Sequence, residues 1–136
     1  LADNQPMLAA IREHHQQGKP TVAECGGMLY LLASLADGSG HRRELAGLVP
    51  ASASMKAKLA GLGSQGVNFP GGELRGHTFH YSAFDAPPAM DFHAFRHPSG
   101  TAGEGVYRDG SLTASYLHWY LPSNPALAAA LFRGEA

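Results

Sequence analysis

The chain has one cysteine and one tryptophan in 136 residues. A single cysteine excludes an internal disulfide framework and agrees with a reducing compartment, so a cytoplasmic location is expected. Charge of either sign is scarce. Charged residues make up 15% of the chain and the net charge is -1, which removes the electrostatic case for nucleic acid or an anionic membrane surface as partner. No apolar run approaches the ~20 residues of a membrane span, and no secretory signal opens the sequence. No glycine-rich run ends in Lys-Ser/Thr: Gly63 and Gly71-Gly72 stand without one, so nucleotide binding has no support inside these residues. Repeats and low-complexity tracts are also missing. What remains is one domain long enough to bury a real core.

Histidine is plentiful, with eight residues. The opening Leu1-Ala2-Asp3-Asn4 lacks an initiator methionine and reads as the cut end of a longer polypeptide. Residues 4–17 then carry a helix pattern, with Asp3 or Asn4 as cap, Pro6 in the first turn, Met7, Leu8 and Ile11 on one face, and Gly18 as the stop. Residues 20–24 read as a short buried strand, expected to pair with a parallel neighbour, and Met28–Leu35 as a helix. Beyond a loop at 37–40, residues 45–54, 61–68, 73–84 and 92–95 are strand-like and separated by Gly- and Pro-rich turns. Asp109-Gly110 predicts a hairpin between 104–108 and 111–118. Pro122 ends that strand, and Ser123 or Asn124 caps a last helix that starts at Pro125. The order predicts an α/β fold with an antiparallel extension.

Three segments carry the candidate chemistry. Glu24-Cys25-Gly26-Gly27 places the only cysteine between a strand and a helix. A nucleophile at such a sharp turn is pushed out from the sheet, and the glycines allow close approach. The helix start is expected to lower the thiol pKa. The alternative is a small buried hydrophobe. Ala114-Ser115-Tyr116-Leu117-His118-Trp119-Tyr120 ends a strand on His118, which is placed to act as the base for a distant cysteine; an ordinary half-buried histidine is the alternative. Arg75 to Ser82 reads RGHTFHYS. Its alternation puts His77 and His80 on opposite faces, so the two cannot share a metal from a regular strand, and no metal site is expected. His93 and His97 read as surface or loop residues.

In these segments, and in Leu48-Val49-Pro50 followed by a strand containing Met55, the sequence resembles the C-terminal glutamine amidotransferase domain of the cobyrinic acid a,c-diamide synthases. RGHTFHYS is the most discriminating stretch, because class I glutaminases in general share only the cysteine elbow and a distant histidine. The resemblance covers nearly the whole chain. It implies a flavodoxin-like class I amidotransferase fold, mostly parallel with an antiparallel extension and truncated at its N-terminus. It makes residues 1–136 a single partial domain, without an N-terminal ATP-binding synthetase domain.

The same resemblance implies roles. Cys25 attacks the side-chain carbonyl of L-glutamine, the Gly26 N–H contributes to the oxyanion hole, and His118 serves as acid and base. Glu24 and His80 are candidates for the glutamine pocket or for orienting other groups; for His77 a structural role is favoured. The usual glutamate two positions after the histidine is replaced by Tyr120, which leaves the group that orients His118 open. No cofactor is implied for these residues; ATP and Mg2+ belong to the full-length enzyme, where ammonia amidates the a and c carboxylates of cobyrinic or hydrogenobyrinic acid on the way to cobalamin. The corrinoid substrate is met through the missing domain, and a homodimer is allowed. The second oxyanion donor of the family lies upstream of Leu1, so these residues alone are expected to be nearly inactive. Alternatives are the same domain in cobyric acid synthase or a nickel-sirohydrochlorin diamide synthase, or a non-catalytic docking module.

Overall fold

A computed structural model describes residues 2–135. Helix α1 (Gln5–Gln16) starts at Asn4, whose Oδ1 accepts from the Met7 N–H. Strand β1 (Thr21–Glu24) leads through Cys25 into α2 (Gly26–Leu31). There follow β2 (Leu32–Ala36), β3 (Arg42–Glu44), β4 (Val49–Met55), β5 (Gly61–Phe69), β6 (Gly72–His80), β7 (Ser82–Phe84), β8 (Phe92–Arg96), β9 (Ala102–Asp109), β10 (Leu112–Ser115) and β11 (His118–Trp119). A 3-10 turn (Leu121–Ser123) precedes α3 (Pro125–Arg133). Asn124 caps α3 through the Leu127 N–H, and Gly134, at φ +71°, closes it in the left-handed conformation.

The strands form two sheets. The larger has seven strands in the order β1-β10-β9-β8-β5-β6-β11; the smaller has four, β3-β2-β4-β7. The parallel pairs are β1–β10 and β2–β4. Every other pairing among the described residues is antiparallel, so the antiparallel extension is the larger share of this chain.

Several readings change. The strand expected over 73–84 breaks at Tyr81 and continues as β7 in the smaller sheet. The strand expected over 111–118 stops at Ser115, and His118 opens β11 at the far edge of the larger sheet. The expected helix at 28–35 ends at Leu31, and Leu32–Ala36 is a strand. Its burial alternates, with Leu32, Ser34 and Ala36 inside, and pairing with β4 on one side and β3 on the other outweighs the helical propensity of Leu and Ala. Met7 is exposed, while Leu8 alone of α1 is fully buried. The predicted hairpin forms as β9–β10, with Leu112 opposite Asp109.

The seven-stranded sheet rolls until its ends meet. Glu24, at the end of the first strand in the order, accepts a hydrogen bond from the Trp119 N–H in the last one at 3.2 Å. The chain thus passes from β10 to β11, from one end of the sheet to the other, through Tyr116 and Leu117 alone. Two cores hold this shape. Leu8, Met28, Leu31, Leu32, Val49 and Leu112 pack between the first helices and both sheets. Val67, Phe69, Leu74, Val106, Trp119 and Leu127 fill one end of the rolled sheet under α3.

Candidate active site

Cys25 is the one described non-glycine residue with positive φ, at φ +46° and ψ -108°. An L-residue is held there only when its surroundings over-determine it. Here the Cys25 N–H donates to the Ser115 carbonyl at 2.8 Å, and its own carbonyl accepts from the Leu29 N–H at 2.9 Å. One bond ties the turn to β10, the other starts α2. The predicted strand-to-helix elbow is therefore present.

The thiol is half-buried, and its pKa is raised above the ordinary value, not lowered as expected from the helix start. Burial is the main cause. The Gly26 N–H opposes it by hydrogen bonding to the sulfur, while the carboxylates of Glu104 and Glu24 add to it. Helix α2 has only six residues, too little aligned backbone to offset lost hydration and two nearby negative charges.

His118 sits in β11 opposite His77 of β6. The two rings stack with centroids 5.1 Å apart and planes 19° from parallel. Cys25 and His118 occupy the same corner, because residue 25 is bonded to Ser115 and Glu24 to Trp119. Their side chains are not hydrogen-bonded to each other. Glu24 spends one carboxylate oxygen on the backbone N–H of Trp119, next to His118. Among the described residues the His118 contact is the His77 ring, and Tyr120 stands largely exposed.

His77 and His80 lie on opposite faces, as the alternation predicts. His80 is buried. Its Nδ1 stands 2.7 Å from the Ser82 carbonyl oxygen and its Nε2 3.1 Å from Glu104 Oε1. Its ring stacks on Tyr116 at 3.7 Å. Both nitrogens are committed inside the protein, to the Ser82 carbonyl and to Glu104. His93 is exposed on β8, and His97 lies past its end, 3.5 Å from Glu73.

Residues that the sequence reading passed over complete the corner. Tyr116 accepts a hydrogen bond from Ser82 Oγ at 3.1 Å. Its pKa is pushed up to about 12, first by burial and then by the negative charges of Glu104, Cys25 and Asp85 against one favourable bond from Ser82. It is a neutral phenol at any physiological pH. Glu104 also accepts from Thr78 Oγ1, and its N–H donates to the buried Gln65 at 2.8 Å. The signal for Glu104 was available: it alternates with the fully buried Val106 and so faces inward.

No helix is long and apolar enough to cross a membrane. Among the described residues no group of three or more His, Cys, Asp or Glu side chains is arranged to hold a metal ion.

The fold resembles that of a solved structure described as a glutamine amidotransferase. The TM-score is 0.66 at 16% identity, over 98% of this chain and 70% of that one. The hydrogenobyrinate a,c-diamide synthase of Stutzerimonas stutzeri is 50% identical over 133 residues, and the cobyrinate a,c-diamide synthase of Herminiimonas arsenicoxydans 41% identical over 135. These alignments take in 98% and 99% of the chain but only 31% of each relative's length. Residues 1–126 match the family described as the CobB/CobQ-like glutamine amidotransferase domain. With that match and the strand–cysteine–helix elbow in place, the chain belongs to the CobB/CobQ-like glutamine amidotransferase family.

Proposed function

We propose that this chain is the glutaminase part of a hydrogenobyrinate or cobyrinate a,c-diamide synthase, working by cysteine thioester chemistry on L-glutamine. The observation that carries the reading is Cys25 at φ +46° between β1 and α2, bonded to the strand that runs on to His118. The 50% identity to a named hydrogenobyrinate a,c-diamide synthase supports the choice of acceptor.

In this reading Cys25 attacks the glutamine side-chain carbonyl. Its thiol is protonated at rest, because burial and two carboxylates disfavour the thiolate. Attack therefore needs a base, and His118 takes the proton. The oxyanion is met by the Gly26 N–H, which already points at the sulfur. The imidazolium then gives its proton to the departing ammonia. In the second half, His118 draws a proton from water as the water attacks the γ-glutamyl thioester, and glutamate leaves with the thiol restored. His118 must turn toward Cys25 for this; hydrogen bonds of this kind are often loose before substrate binds.

ATP and Mg2+ have no place assigned among the described residues. These residues include no Walker-type loop and no acidic cluster for the ion. Activation of the a and c carboxylates is assigned to the part of the synthetase outside these residues, which also meets the corrinoid and receives the ammonia. The protein works in the cytoplasm.

The test is labelling with diazo-oxo-norleucine, a glutamine-like electrophile. Selective modification of Cys25, blocked by L-glutamine, is the expected result. Labelling no faster than that of an ordinary thiol overturns the glutaminase reading and leaves a docking domain.

A further inference from the structure

The His80–Glu104 contact takes no direct part in the proton transfers described above; only the Glu104 charge reaches the Cys25 thiol. The side chains are 6% and 16% exposed. A carbonyl oxygen only accepts, so the 2.7 Å contact with Ser82 puts a proton on His80 Nδ1. The other nitrogen then faces a carboxylate oxygen at 3.1 Å, a hydrogen bond that requires one proton between the two atoms. Thr78 donates to the same oxygen at 3.3 Å.

Two glycines clear the space. Gly61 has no positive φ, so its backbone does not demand glycine; a Cβ there would overlap His80 Nε2 and stand 2.9 Å from Glu104 Oε1. A Cβ at Gly103 would overlap Gln65 Oε1, the atom that receives the Glu104 N–H. A leucine or phenylalanine at position 80 would supply packing at lower desolvation cost. What the polar pair adds is direction. The imidazole lies flat on Tyr116 at 3.7 Å, with planes 13° apart, and the Tyr116 hydroxyl is bonded to Ser82, whose carbonyl holds the same imidazole. Tyr116 begins the short crossing that delivers His118.

We propose that His80 and Glu104 are a positioning pair: through a proton shared between Nε2 and Oε1 they fix the plane of the imidazole against Tyr116, and so fix the crossing that carries His118 to Cys25. The inference rests on the glutaminase reading above.

The test compares variants of the full-length protein, with glutamine and then free ammonia as nitrogen source. Glu104→Ala breaks the bridge and is expected to lower glutamine-driven kcat about 10-fold or more. KM for glutamine should stay within about 2-fold, because neither residue meets the substrate, and ammonia-driven turnover should hold. Glu104→Gln keeps a bridge, since its amide donates to Nε2 while Nδ1–H still serves Ser82; it should retain kcat within about 3-fold. His80→Asn keeps a donor for the Ser82 carbonyl and gives up the bridge. It should behave like Glu104→Ala, and it decides the matter if that variant does not fold. Bridge-breaking variants with kcat within about 2-fold of wild type overturn the pair, as does a Glu104→Gln loss as deep as that of Glu104→Ala, or a parallel fall in ammonia-driven turnover. Failure of diazo-oxo-norleucine to label wild-type Cys25 would instead overturn the glutaminase reading itself.

Discussion

The inside of the rolled sheet has two ends built on opposite terms. At one end Val67, Leu74, Val106 and Leu117 are fully buried, with Phe69 and Trp119 in edge-to-face contact at 5.9 Å. At the other end the same strands β5, β6 and β9 turn in Gln65, Thr78, His80 and Glu104. The apolar end needs only area removed from water, about 25 cal/mol per Å². The polar end loses that gain and holds its groups by directed bonds. His80, for example, meets the Ser82 carbonyl through Nδ1 and Glu104 through Nε2, whereas the buried Gln65 Nε2 has no partner among the described residues. Cys25 lies against the polar end. One sheet thus supplies stability at one end and a fixed electrostatic setting at the other.

Exchanging residues between the two kinds of environment should separate the two jobs. The largest effect is expected at the elbow. Cys25→Gly removes the proposed nucleophile and relieves the positive φ together. Glutamine-driven turnover should fall by about 10^4-fold or more, while stability in urea rises by about 1 kcal/mol. A variant that is both inactive and less stable would contradict the idea of strain held at this turn. At the apolar end, Leu74→Ala should cost about 2–5 kcal/mol in the same denaturation and leave the glutamine kcat of the folded protein unchanged. Gly61→Ala tests the clearance at the polar end. Glycine-to-alanine changes at compatible sites usually stabilise, but here the methyl meets the His80 ring, and a loss of about 1–3 kcal/mol is expected.

Two smaller effects follow from charge. The alkylation rate of Cys25 against pH should show a midpoint above that of an ordinary thiol, because burial raises it; Glu104→Gln removes one of the lesser causes and should bring the midpoint down. A wild-type midpoint below that of an ordinary thiol would mean that the helix start outweighs burial after all. The smallest effect belongs to the second sheet, where Asp85 is held below the usual carboxylate range by bonds from Ser54 Oγ at 2.6 Å and Arg42 at 2.7 Å. A depressed carboxylate contributes stability above its unfolded pKa of about 4 and loses it as pH falls through the folded value. The gap in melting temperature between wild type and Asp85→Asn should therefore be small at pH 7 and close in acid. A gap that widens in acid would reverse the sign of the argument.

Much of the site was readable along the chain because its signals are local. Glu24-Cys25-Gly26-Gly27 between a strand and a helix, the Asp109-Gly110 hairpin and the Asn124-Pro125 helix start each depend on neighbouring residues. The strand at Leu32–Ala36 was misread because its identity depends on partners in β3 and β4, not on its own residues. Local reasoning also got the charge state of the cysteine backwards. A helix start is visible in sequence; the burial of the sulfur and the approach of Glu104, far along the chain, are not.

By itself the sequence determined the family, the placing of Cys25 between a strand and a helix, and the opposite faces of His77 and His80, since residue type and period two are properties of the chain. Only the tertiary structure decided that the sheet rolls until Glu24 meets Trp119, that His80 is locked between Ser82 and Glu104, and that His118 rests on His77. Those contacts join residues remote in sequence, and their energies come from burial and hydrogen-bond geometry that exist only after the strands have closed.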